Sequence, residues 1–189
     1  MARAKKNAGP RCTFVFLDES GFSEAPAVRR TWAPRGCTPV LRPKHRSWKR
    51  VSAIGALAYS RRADSGRVLV VFKRGEVDAD DTVSFLRHMR RHLRGRVVLL
   101  WDGLAAHRSA KVRRWIDRHP SVTVERLPAY APELNPVEGL WSWTKGSLLA
   151  NVCEDTLDPI LARVRRGMRS ARRRPTLLRG FLAKAGLSF

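Results

Sequence analysis

The chain is organised around Leu127-Pro-Ala-Tyr-Ala-Pro-Glu-Leu-Asn-Pro-Val-Glu138. An apolar strand breaks there at a pair of prolines and restarts as a helix. Asn135 is a good N-cap and Pro136 suits the first helical position, so Glu138 falls at the third helical position, inside the first turn. Two readings fit that glutamate. Either it closes a capping box with Asn135, or it ligates a metal together with carboxylates from elsewhere in the chain. The helix is expected to run to about Ala150, with Val137, Trp141, Thr144 and Leu148 as its apolar stripe.

Partner carboxylates stand where two apolar runs stop. Thr13-Phe-Val-Phe-Leu17 reads as a strand buried on both faces and delivers Asp18-Glu-Ser-Gly21, while Val97-Val-Leu-Leu-Trp101 delivers Asp102. Successive strand residues face opposite sides, so Asp18 and Glu19 are not expected to serve one site. Ends of neighbouring strands converge, and the crevice outside them is where sites form in open sheets. Asp18, Asp102 and Glu138 are therefore the candidate catalytic and metal-holding residues. Three anionic oxygen donors repel one another without a cation, and Mg²⁺ or Mn²⁺ is the natural counterion. Two such ions roughly 4 Å apart activate a nucleophile and stabilise the leaving oxygen of a phosphodiester.

Around this set, Val51–Tyr59 and Arg67–Lys73 read as short strands, and their short links favour antiparallel pairing with the first. Asp78 to Asp81 offer caps for a helix to about Leu93, a second helix is expected from about Ser109 to Arg118, and Val122–Leu127 is a further strand. Asp155 is read as another cap. The chain divides into a flexible basic leader (1–10), a main domain (11–155) and basic C-terminal helices packed on it (156–189).

Charge is the strongest global signal: 38 Lys and Arg against 16 Asp and Glu leave +22, which implies a polyanionic partner, with nucleic acid the leading candidate. Arg46, Lys49 and Arg50 in a basic stretch, Lys145 seven residues after Glu138, and Arg165 and Arg169 within residues 159–189, which hold no Asp or Glu, are the candidate phosphate contacts. Three scattered cysteines without a Cys-x-x-Cys pair point to a reduced compartment. No apolar run approaches the ~18 residues of a membrane span. His107 either supports the site or simply starts a helix. His88 and His92 have metal-ligand spacing, but the arginines around them oppose a cation. Trp32, Trp48 and Trp141 are read as packing residues rather than base-stacking ones.

Asp18-Glu-Ser-Gly, Trp32-Ala-Pro-Arg-Gly, Asp102-x-x-x-x-His107 and Leu127-Pro-x-Tyr-x-Pro-x-Leu-Asn-Pro-x-Glu138, followed by Trp141 and Lys145, together resemble the catalytic domain of mariner-like transposases and their bacterial insertion-sequence relatives. The resemblance runs from about residue 12 to residue 150, and 35 residues separate Asp102 from Glu138, close to that family's spacing. It implies an α/β, ribonuclease-H-like (retroviral-integrase-like) fold, a mixed five-stranded sheet flanked by helices. It also implies a two-metal Asp-Asp-Glu site with His107 and Asn135 in support, two Mg²⁺ or Mn²⁺ ions, and cleavage and joining of DNA at transposon ends. Transposon ends and target DNA are the expected partners, with a homodimer in the DNA complex and a prokaryotic, cytoplasmic, nucleoid-associated setting. Gly103 stands where relatives usually have Asn. Only about ten residues precede the first strand here, so a separately encoded helix-turn-helix region is a further expected partner. The alternative is a catalytically silent DNA-binding remnant of such a transposase.

Overall fold

The computed structural model describes residues 12–42, 49–60, 66–128 and 131–188. The basic leader, Arg46, Trp48 and Tyr130 lie outside the described residues. Five strands form one mixed sheet: β1 (Cys12–Ser23), β2 (Arg50–Ser60), β3 (Arg67–Arg74), β4 (Arg96–Trp101) and β5 (Val122–Arg126), in the order β3-β2-β1-β4-β5. The first three pair antiparallel as a meander, whereas β4 and β5 join parallel to β1. The helices are α1 (Ala79–His92), α2 (Ala110–Asp117), α3 (Pro136–Trp143), α4 (Leu157–Arg172) and α5 (Pro175–Lys184). Parallel strands need crossovers, and α1 and α2 supply them. No helix among the described residues is long and apolar enough to cross a membrane.

Both sheet faces are buried, which explains the unbroken apolar runs in β1 and β4. Phe14 and Phe16 of β1, with Val98 and Leu100 of β4, pack under α3, α4 and α5 beside Val137, Leu140, Val164 and Leu178. Val15, Leu17, Leu99 and Trp101 point the other way and meet Phe85, Leu86 and Met89 of α1 and Val112 and Trp115 of α2. Continuing that alternation puts Asp18 and Asp102 on the α3 face and Glu19 on the α1/α2 face.

β1 does not stop at its acidic residues, as the sequence leads one to expect, but runs on to Ser23. The cause is unequal neighbours: β2 pairs with it as far as Ser23↔Arg50, while the parallel pairing with β4 ends at Phe16↔Leu100. Asp18 therefore sits where β1 loses one partner and keeps the other. The sheet splits open at that point.

Of the caps expected between Asp78 and Asp81, Asp78 and Asp81 do cap α1, and the helix expected from about Ser109 starts there. Asp78 caps α1 through a full capping box with Asp81, and the Ser109 hydroxyl accepts from Val112 N–H at the start of α2. Asp80 pairs with Lys111 at 2.6 Å, and α4 begins after Thr156 rather than directly on Asp155. The helix after Glu138 differs in one respect. Following Trp143 it widens into a π turn over Thr144–Leu148, with Leu149 N–H donating to the Thr144 carbonyl at 3.1 Å. The added residue shifts the stripe by one position, so Leu149 rather than Leu148 is buried. Trp32, expected to pack, is fully exposed. It lies in a segment without regular structure that the core does not reach.

Candidate active site

Asp18 faces the N-terminal end of α3. Its Oδ2 accepts a hydrogen bond from the Trp141 indole N–H at 3.0 Å. The indole comes this close to the sheet because residue 55, paired with Asp18 across β2, is glycine: a Cβ there would come 2.5 Å from two Trp141 ring carbons. Burial, then the charges of Glu138, Glu19 and Asp102, push the Asp18 carboxyl up to about 7. Carboxylates crowded in this way call for a cation.

Asp102 follows β4, and extending the β1–β4 register by two residues sets it beside Asp18. Its Oδ1 accepts from Leu104 N–H at 3.1 Å and forms an ion pair with His107 Nδ1 at 3.0 Å, while its main-chain carbonyl meets the same Nδ1 at 3.3 Å. Burial works to raise its pKa, but these bonds and the nearby imidazolium hold it below the usual carboxylate range. His107 is buried, with its ring stacked on Trp101 at 4.2 Å and 2°. Its Nε2 faces Glu19 Oε1 at 2.9 Å. Between two carboxylates both ring nitrogens act as donors. Burial lowers the His107 pKa, but the bonds to Asp102 and Glu19 and the Glu19 charge outweigh it and raise the value to about 9.

Glu138 does not close a capping box. The Asn135 N–H that such a box needs is already donated to the Pro132 carbonyl at 2.9 Å, and the cap is made by Asn135 alone, whose Oδ1 accepts from Val137 N–H at 3.2 Å. Its Nδ2 donates to the Leu17 carbonyl at 3.3 Å, tying the start of α3 to the residue before Asp18. Asn135 is thus cap and clamp at once. Asn135→Ala removes a cap worth ~1 kcal/mol and leaves a buried carbonyl unpaired, roughly 2 kcal/mol in all. A fall in Tm of about 4–8 °C is expected by calorimetry.

The three carboxylates open onto one cleft of about 360 Å³, whose walls include Asn135, Arg126 and Gly103. Its donor set is all oxygen, and no lysine or arginine among the described residues forms an ion pair with Asp18 or Glu138. That chemistry fits Mg²⁺ or Mn²⁺. A tighter group, Glu19, Asp102 and His107, brings its ligand atoms within 4.8 Å of one another, but an imidazolium fills its centre and repels a cation. A Cβ at Gly103 would meet nothing within 4 Å, so the glycine relieves no clash.

The candidate phosphate contacts lie elsewhere. Lys145 borders a separate cavity of about 210 Å³ with Leu149 and Ile160, and its Nζ sits 5.9 Å from the Phe22 ring centre. Lys49 is exposed, its N–H donating to Glu24 at 3.2 Å, and the Arg50 guanidinium lies over Gly21. Arg165 stacks on Phe72 at 5.5 Å, and Arg169 is exposed on α4. Two contributors escape the sequence reasoning: the Trp141 indole on Asp18, and Glu19. Strand alternation does put Glu19 on the far face, but the turn after Asp102 folds His107 back beneath the sheet to meet it. The five-residue spacing from Asp102 to His107 was the available signal.

Fold and site together define an α/β protein of the ribonuclease-H-like class with an acidic cleft at the split between its central strands. The sequence profile of the DDE superfamily endonucleases matches residues 13–158, and the chain belongs to that family. Among solved structures, a Mos1 transposase paired-end complex with the left transposon end aligns at TM-score 0.62 and 20% identity, covering 98% of this chain and 58% of that one. The catalytic domain of Mos1 mariner transposase aligns at TM-score 0.53 and 17% identity, covering 100% of this chain and 89% of that one. A chain of the simian T-cell lymphotropic virus intasome aligns at 0.52 and 15%, covering 85% and 48%. At these identities the likeness establishes the fold. No curated protein matches the chain. The chain spans about three fifths of the length of the Mos1 chains in DNA complexes.

Proposed function

We propose that this DDE endonuclease is the catalytic part of a transposase, which cuts DNA at transposon ends and joins the freed 3′-hydroxyl to target DNA. The observation that carries the proposal is the convergence of Asp18, Asp102 and Glu138 on one cleft. These three residues would hold a pair of divalent ions. When bound, such ions supply an activated water or hydroxyl and neutralise charge on the scissile phosphate.

The chain's own groups prepare that site. Trp141 N–H fixes one oxygen of Asp18, His107 and Leu104 N–H fix one oxygen of Asp102, and Asn135 sets the helix turn that carries Glu138. Arg126 at the end of β5 forms part of the cleft wall, and its positive charge nearby favours a phosphate. The net charge of +22 supports a long polyanion as substrate. Mos1 structures exist as paired-end complexes with Mg and with Mn and as a strand transfer complex, which supports the ion type and the DNA partners. A homodimer on DNA, with a helix-turn-helix region beyond these residues reading the ends, completes the proposal.

The test is a supercoiled plasmid carrying the element ends, incubated with the protein and Mg²⁺ or Mn²⁺. End-specific breaks that need the ion are expected. Salt-sensitive DNA binding without any break, in either ion, would identify a silent DNA-binding remnant instead.

A further inference from the structure

Asp18 and Glu19 are neighbours on β1 that point to opposite faces, yet both bear on the same cleft. Asp18 reaches it directly. Among the described residues the Glu19 side chain hydrogen-bonds His107, and His107 in turn meets Asp102. Asp102 precedes a turn without regular structure, followed by the short 3₁₀ turn Ala106–Arg108, so β4 itself does not hold its carboxylate. The His107 ring does: it is stacked on Trp101, its side chain is 1% exposed, its Nε2 bonds Glu19 Oε1 at 2.9 Å, and its Nδ1 bonds the Asp102 carbonyl at 3.3 Å and pairs with Asp102 Oδ1 at 3.0 Å. Leu104 N–H donates to the same Oδ1. One hydrogen bond and one ion pair thus draw Asp102 Oδ1 toward the turn, and the carbonyl bond ties the same residue to the His107 ring.

We infer that Glu19 is a positioning residue, which acts through His107 to tie the turn carrying Asp102 to the strand carrying Asp18, and so sets the spacing of the two aspartates. Glu19 Oε2 supports this: it is a buried acceptor without a hydrogen-bond partner among the described residues, a cost that a purely structural brace would avoid. The inference rests on the proposal above only in taking the cleft as a divalent-ion site. Partners of ligating carboxylates contribute about 10–100-fold to metal affinity, and that is the size of effect expected here.

The test uses the full chain as wild type, Glu19→Ala and Glu19→Gln, with Asp18→Asn as the control for the cleft itself. Free Mn²⁺ is counted by electron paramagnetic resonance, and the His107 ring nitrogens are followed by ¹⁵N NMR without metal. Glu19→Ala is expected to weaken Mn²⁺ binding about 10–100-fold and to shift the His107 Nδ1 signal, while Glu19→Gln, whose carbonyl still accepts from Nε2, restores most of both. If Glu19→Ala fails to fold, Glu19→Met takes its place, with the same outcomes expected. Wild-type affinity and an unmoved Nδ1 signal in the apolar variant overturn the inference. Should the wild type not bind Mn²⁺, or Asp18→Asn bind it unchanged, the metal site has failed, and the Nδ1 signal alone decides the role of Glu19.

Discussion

Asp102→Asn is expected to abolish metal-dependent DNA cleavage while leaving the protein folded. Asparagine keeps the shape of the side chain, and its carbonyl can still accept from Leu104 N–H and His107, so the turn after β4 stays in place. What it loses is the negative charge. Losing a charged ligand forfeits several kcal/mol of transition-state stabilisation; at ~4 kcal/mol the rate falls about a thousandfold. The measurement is the rate of nicking at the element end under single-turnover conditions, with thermal melting and DNA binding as controls. DNA affinity is expected to hold or rise, since a negative charge leaves a cleft that faces phosphates. Cleavage within tenfold of wild type would remove Asp102 from the site.

The largest effect on stability is expected at Trp141. It is buried, packs edge-on against Phe22 at 5.9 Å, covers Gly55 and holds Asp18. Trp141→Ala opens a cavity in the core between sheet and helices, at a cost of about 3–5 kcal/mol, which for a chain of this size lowers Tm by roughly 6–20 °C. Gly55→Ala probes the same contact from below. With the indole in place, the new methyl group forces it off the sheet, an overpacking cost of about 1–3 kcal/mol. In the Trp141→Ala background that cost is expected to vanish, because the clash and the cavity share one space. Melting of both single variants and the double variant measures the coupling. Strict additivity would mean that the indole does not rest on Gly55.

Much of the site was legible in the sequence, for identifiable reasons. The runs ending at Asp18 and Asp102 are apolar on both faces, so their strand character and central place could be read directly. Asn135-Pro136 announces a helix start, which sets the position of Glu138. The remainder depends on partners distant in sequence. β1 outlasts its acidic residues because β2 extends further than β4, and no local pattern carries that. Whether Asn135 or Glu138 caps α3 turned on a Pro132 carbonyl placed by a turn. The π turn after Trp143 moved burial from Leu148 to Leu149, and Lys145 borders a different cavity from the carboxylates. Trp32 shows the limit of composition: an aromatic residue is buried only if a surface comes to meet it.

Asp18, Asp102 and Glu138 are proposed to hold divalent ions jointly, and anomalous scattering from a crystal of the protein grown with Mn²⁺ reads those ions and their ligands out together. Anomalous peaks are predicted in the cleft, at ligand distances of about 2.0–2.3 Å from oxygens of all three carboxylates. Peaks confined to Glu19 and His107, or a cleft empty at saturating Mn²⁺, would contradict the proposal.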